Sequence, residues 1–205
     1  MTLTLRRLRG RLEGDDGLTL VELLVAMMIL GIVMTVMTSV LISIQRAVVT
    51  QNNRSTNLDQ ARLAIQTMDR QVRSGNLLYN PNVESPAYFQ IRIYTQSNAP
   101  TYGSARCVLW QINTSEQLIT RSWPANQPEN ATDWYTAATG VVNRDVSPGV
   151  NAFTLAATNR TITVTFLVNA DLTHYPNSTE YVKASLTGRN TSFGYPVDVC
   201  EDLPS

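Results

Sequence analysis

Residues 17–44 read GLTLVELLVAMMILGIVMTVMTSVLISI, and Glu22 is the only charge among them. At the helical rise per residue, 18–44 spans about 40 Å, enough to cross a hydrocarbon core of about 30 Å. The residues before it, 1–17, read MTLTLRRLRGRLEGDDG and carry Arg6, Arg7, Arg9 and Arg11. Basic residues ahead of a span predict a cytoplasmic N-terminus and an exported C-terminus. The expected location is therefore the cytoplasmic membrane, crossed once, with lipid around 18–44. An ordinary secretory signal does not fit. Its apolar region is shorter and is followed by a small-residue cleavage site, whereas here the small residue, Gly17, precedes the apolar run. A cut after Gly17 would leave the whole helix on the mature chain.

Glu22 needs an explanation. A carboxylate at the centre of a membrane helix costs about 2.5–3.5 kcal/mol and is usually paired or functional. Placement in the first turns lowers the cost, because the helix dipole favours negative charge there. Taken alone, Glu22 fits either an acid that opens a simple anchor helix or an acid that awaits a partner.

The stretch GLTLVELLVAMMILGI closely resembles the leader junction of type IV prepilins and pseudopilins. Gly17 matches the residue before the cut, Leu18 the first residue of the mature chain, and Glu22 the glutamate five places into it. Gly31 matches a glycine often found midway along the helix. The resemblance implies cleavage after Gly17 by a prepilin peptidase and N-methylation of Leu18. It also implies that the Glu22 carboxylate pairs with the N-terminal amine of a neighbouring pilin during filament assembly. Asp15 and Asp16 depart from the family pattern, which carries basic residues close to the glycine.

Beyond Ile44 the chain turns polar but keeps a helical pattern. Residues 45–74 contain neither proline nor glycine, and Leu58, Ala61, Ile65, Met68 and Val72 recur at spacings of three and four. That is one apolar stripe on an amphipathic helix. Gly75 followed by Asn76 is a natural stop. One helix from Leu18 to about Ser74 is expected: a membrane part over 18–44 and an amphipathic part over 45–75. Arg54, Arg62, Arg70 and Arg73 spiral around it and alternate with Asp59 and Asp69, which reads as a solvated face, not a phosphate track. The segment ARLAIQTMDRQVRSGN resembles the helix end of PilW-like minor pilins and J-type minor pseudopilins, on Arg62, Met68, Asp69, Arg70 and Arg73. The ending KASLTGRNT, with Arg189 and Asn190, resembles a late strand and turn of the same proteins.

From Tyr79 the period changes to two. Strands are expected over 87–96, 106–113, 117–123, 153–157, 160–168 and 180–188, with loops around 80–86, 124–133 and 171–179. Thr161, Thr163 and Thr165 alternate with Ile162, Val164 and Phe166, the pattern of a half-buried antiparallel strand. The fold class is thus α+β and pilin-like. The long N-terminal helix packs on an antiparallel β-sheet within a β-rich extracytoplasmic domain over 76–205.

Cys107 and Cys200 are the only cysteines. Outside the cytoplasm they are free to pair. The bond would close a loop of about 90 residues and stabilise by roughly 4 kcal/mol in the chain-entropy model. Two separate buried thiols are the alternative. The formal net charge is zero, without the basic surplus of a nucleic-acid binder, so nucleic acid is not a default partner.

No catalytic motif or cofactor-binding signature occurs. The single histidine, His174, lies in a predicted loop. Asp198, Glu201 and Asp202 read as a frayed acidic tail, too poor in ligands for calcium. No cofactor and no metal are expected, and the chain reads as a non-enzyme.

Three functions stay open. One is a minor pilin or pseudopilin that initiates or caps a type IV pilus or a type II secretion pseudopilus. Another is a pilus-tip module that binds a surface, DNA or a secreted substrate. The last is a domain tethered by one helix.

Overall fold

The structure, a computed structural model, describes residues 19–96, 104–146, 149–189 and 196–204. The chain divides into two compact units, Met1–Val48 and Val49–Ser205. The leader, Gly17, Leu18 and Asn190 lie outside the described residues.

Helix α1 runs over Leu20–Arg73. Nothing in 32–73 breaks it, and Arg70 and Arg73 in its last turn complement the negative end of the dipole. In the first unit every described side chain on this helix is exposed. A helix surface that is predominantly apolar all round, as over 20–44, suits a lipid environment. The helix is long and apolar enough to cross a membrane, and none of the apolar stretch that meets this test is buried in the structure.

At its other end α1 closes differently from the expectation. The Ser74 amide and hydroxyl both donate to the Arg70 carbonyl, at 3.2 and 2.8 Å. Gly75 then enters strand β1 (Gly75–Leu78) directly. It does not use the left-handed conformation of a typical helix-ending glycine. Its requirement is space, because a Cβ would sit 2.9 Å from the Val72 carbonyl oxygen.

Seven more strands follow: β2 (Gln90–Thr95), β3 (Arg106–Ile112), β4 (Gln117–Pro124), β5 (Tyr135–Thr139), β6 (Phe153–Leu155), β7 (Thr161–Val168) and β8 (Glu180–Thr187). The first five form one antiparallel sheet in chain order, and β6-β7-β8 form a second. All six expected strands are present, each within a few residues of its expected bounds. Strands β1 and β5 come in addition, so strand structure begins at Gly75, ahead of Tyr79.

Within the second unit the core forms where period 3.6 meets period 2. Ala61, Ala64, Met68 and Val72 of α1 join a buried cluster with Ile91, Ile93, Trp110 and Ile112 of the larger sheet. Ile162, Val164 and Phe166 of the smaller sheet belong to it too. Phe153 and Phe166 meet edge to face at 5.8 Å. The buried stripe differs from the expected one. Ala61, Met68 and Val72 are in it, Leu58 and Ile65 are only partly buried, and Ala64 and Gln71 take central places. Gln71 is tolerated there because it is bonded. Its Oε1 accepts from Trp110 Nε1 at 2.7 Å, and its carbonyl accepts from Thr95 Oγ1 at 2.8 Å.

The other face of the larger sheet carries Cys107 and Leu109 on β3 and Trp123 on β4. These form a second apolar cluster with Cys200.

Candidate functional site

The first turn of α1 is built by a short-range motif. Thr19 precedes the helix and Glu22 stands three residues on, the Thr-x-x-Glu arrangement of a capping box. Thr19 Oγ1 accepts from the Glu22 amide at 3.2 Å, and the Thr19 carbonyl accepts from the Leu23 amide at 3.1 Å. The Thr19 carbonyl thus accepts the first intrahelical bond, and its hydroxyl oxygen occupies one of the backbone donors that a helix start leaves open. The Thr19 hydroxyl also approaches Glu22 Oε2, at 3.4 Å. Good O–H···O bonds are about 2.5–3.0 Å, so this contact is weak and Glu22 keeps most of its acceptor capacity. The sequence reading missed the role of Thr19, although the T-x-x-E spacing carries it.

Further along the span three hydroxyls bond back to carbonyls of the helix itself. Thr35 Oγ1 donates to the Gly31 carbonyl, Thr38 Oγ1 to Met34 and Ser39 Oγ to Thr35, at 2.8–2.9 Å. Glu22 alone among the polar side chains of the span carries a charge, which makes it the exceptional group of the segment. Gly31 meets nothing within 4 Å where a Cβ would stand.

The structure brings Cys107 and Cys200 together as a disulfide, with Cα atoms 5.7 Å apart. The C-terminal acidic residues are not a frayed tail, as expected, because residues 196–204 are anchored around that bond. Arg92 Nη1 donates to the carbonyls of Cys200 and Glu201, at 2.6 and 3.1 Å. The Tyr79 hydroxyl donates to the Val197 carbonyl at 2.9 Å and accepts from the Cys200 amide at 3.0 Å. Burial pushes the Tyr79 hydroxyl above the usual tyrosine range, against the opposing pull of its Cys200 bond and of Arg92.

Three of the helix arginines are engaged in surface ion pairs, and Arg70 Nη2 approaches Thr67 Oγ1 at 3.4 Å. Arg62 meets Asp59 at 3.3 Å, Arg73 meets Asp69 at 2.6 Å, and Arg54 pairs with Glu180. Exposed pairs of this type contribute little, and they leave no continuous basic track. His174 is exposed and sits 2.8 Å from Asp171. Bonds from the His174 backbone and ring hold the Asp171 carboxyl below the usual carboxylate range. Among the described residues, no group of three or more His, Cys, Asp and Glu side chains could hold a metal ion. A groove of about 420 Å³ lies between α1 and strands β3–β5, lined by Leu63, Ala64, Trp110, Tyr135 and Ala137 among others. Arg121 is the one charged residue in its lining, so the groove lacks the paired titratable groups of general acid–base chemistry.

Residues 15–38 match a family model described as the prokaryotic N-terminal methylation motif. No curated protein and no solved structure matches the chain. The match covers this N-terminal segment alone, and a motif of this kind supports a likeness to the type IV pilin and pseudopilin family. The α+β fold, a long helix whose later, amphipathic part packs on antiparallel sheets, is consistent with a pilin-like fold. The motif implies dealings with a prepilin peptidase and with other pilins in a filament. The apolar helix suits insertion in a membrane.

Proposed function

We propose that the chain is a minor pilin or pseudopilin that initiates or caps a type IV pilus or a type II secretion pseudopilus. A prepilin peptidase removes residues 1–17 by cutting after Gly17, and Leu18 becomes the methylated N-terminus. Residues 18–44 hold the subunit in the cytoplasmic membrane with the leader on the cytoplasmic side. Residues 45–75 form the amphipathic part of the same helix, and 76–205 the globular part outside the cytoplasm. The observation that carries this reading is the methylation motif over residues 15–38, with Glu22 as the lone charge of an apolar helix.

Glu22 has the chemistry for the assembly step. Among the described residues its side-chain carboxylate meets one partner, the weak contact to Thr19. An unpaired carboxylate in lipid is costly, and an incoming amine from a neighbouring subunit relieves that cost. Neutralising the charge in this way gives assembly a driving force confined to the membrane. The helix end around Arg62–Arg73 supports a minor subunit over a major one, through its likeness to minor pilins and pseudopilins.

Mass spectrometry of the mature N-terminus tests the processing. The expected peptide begins at Leu18 and is heavier by one methyl group. A Met1 leader still attached, in cells that contain the peptidase, overturns the proposal.

A further inference from the structure

Residues 196–204 lie against the face of the larger sheet that carries Tyr94, Leu109 and Trp123, and they form no strand there. The side chains that hold them bind their main chain. Arg92 reaches the carbonyls of Cys200 and Glu201, Tyr79 reaches the Val197 carbonyl and the Cys200 amide, and Arg121 donates to the Pro204 carbonyl. Arg92 is itself fixed from behind. Its Nε donates to Glu84 Oε1 at 2.8 Å, and Gln90 Nε2 donates to Glu84 Oε2 at 2.9 Å. Its guanidinium lies 4.5 Å above the Tyr79 ring.

The Glu84 side chain is 1% exposed and that of Arg92 14%. Burying such a pair carries a desolvation cost that only good geometry and further hydrogen bonds repay. Here the spare donors of Arg92 are spent on the carbonyls of one peptide segment. Each of these contacts is made by atoms other than the two sulfurs.

We propose that Tyr79, Arg92 and Arg121 form a peptide-binding cradle that seats residues 196–204 before oxidation and presents the Cys200 thiol to Cys107. The cradle recognises main-chain groups, which explains why the side chains of Val197, Asp198, Glu201 and Asp202 are free to face solvent. Closure then follows thiol–disulfide exchange with a small or protein disulfide as oxidant. One cysteine thiolate attacks the donor disulfide, forming a mixed disulfide and releasing one donor thiol. The second cysteine, deprotonated, attacks the sulfur of the first and releases the other donor thiol. The two cysteines lose two electrons and two protons, and the donor disulfide is reduced to two thiols. Tyr79 and Arg92 are positioning residues in this step, because they act on the backbone that carries the sulfur.

The test uses the full chain in detergent micelles with a glutathione redox buffer. Tyr79→Phe keeps the ring under Arg92 and the Arg92–Glu84 pair but removes two bonds to the segment. It is expected to lower the effective concentration of the two thiols roughly tenfold, with a larger fall for Arg92→Gln. Hydrogen exchange on the C107S/C200S chain is the second readout. The amides at 199–201 should stay protected, and adding Tyr79→Phe should release them while β7 amides keep their protection. Free exchange of 199–201 in C107S/C200S overturns the proposal, as does an unchanged effective concentration in Tyr79→Phe. Loss of β7 protection in Tyr79→Phe also overturns it, by making Tyr79 a general core residue.

Discussion

Gln71→Leu isolates the polar contact that docks the second half of α1 on the larger sheet. The Trp110 side chain is essentially buried, and its indole N–H donates to Gln71 Oε1 at 2.7 Å. Leucine is close to glutamine in volume, so the cavity cost is small. The substitution strands a buried donor instead, at about 1–3 kcal/mol. The bond from Thr95 Oγ1 survives because it goes to the Gln71 backbone carbonyl. A net loss of about 2 kcal/mol is expected for Gln71→Leu. Trp110→Phe removes the donor and leaves a cavity, for a further loss of about 1–3 kcal/mol. The double variant should be more stable than the sum of the two losses by about 1–2 kcal/mol, because it leaves no stranded donor. Urea unfolding of the full chain in micelles measures all three, and Trp123, also buried, remains as the fluorescent reporter. A Gln71→Leu loss below about 0.5 kcal/mol, or strict additivity in the double variant, would refute the reasoning.

Three other outcomes are expected. Glu22→Ala should remain in the membrane fraction but be absent from sheared filaments, whereas normal incorporation would sink the amine-pairing mechanism. Gly140→Ala should lose about 2–4 kcal/mol in the same urea assay. Gly140 has φ +67°, and an added Cβ would lie 2.4 Å from Asn57 Nδ2 and 2.6 Å from the Asn169 carbonyl oxygen. Asp171 is held below the usual carboxylate range by His174, so its contribution to stability is present above the unfolded carboxyl pKa. That contribution is lost as pH falls through the lower folded value. His174→Ala removes the ring bond but keeps the backbone amide bond, so the Asp171 titration should move only part of the way back to the ordinary range, read by NMR of its side-chain carbon.

The N-terminal helix was the most legible part of the chain. Its length, the lone acid of its apolar part and its stop at Gly75 all lie in contiguous sequence, and α1 ends within a residue or two of where Ser74 and Gly75 suggest. The long strands were legible for a similar reason, since β7 alternates threonine with isoleucine, valine and phenylalanine without interruption. Strand β5, YTAAT, was not. Two alanines and two threonines carry little apolar contrast, and as an edge strand it is paired on one side only. Strand β1 was hidden because Gly75 and Asn76 read as a stop, although both are buried in the strand that follows. Gln71 escaped the apolar stripe because its place depends on Trp110, thirty-nine residues away. At the candidate site Glu22 stood out by its charge. Thr19 needed attention to spacing, and the anchoring of residues 196–204 needed Tyr79 and Arg92, whose partners are far along the chain. Local pattern reports elements, and long-range hydrogen bonds escape it.

The disulfide also imposes an order in time. Cys107 and Cys200 are 93 residues apart, and a chain that crosses the membrane behind an N-terminal helix delivers Cys107 first. Until the later segment emerges, Leu109 and Trp123 lack the part of their cover that Val199 and Cys200 supply, and Cys107 is an available thiol beside apolar surface. The domain is therefore vulnerable to mispairing and to capture by other chains throughout that interval. In the topology proposed above, maturation of the domain would be paced by translocation and completed when residues 196–204 cover the outer sheet face.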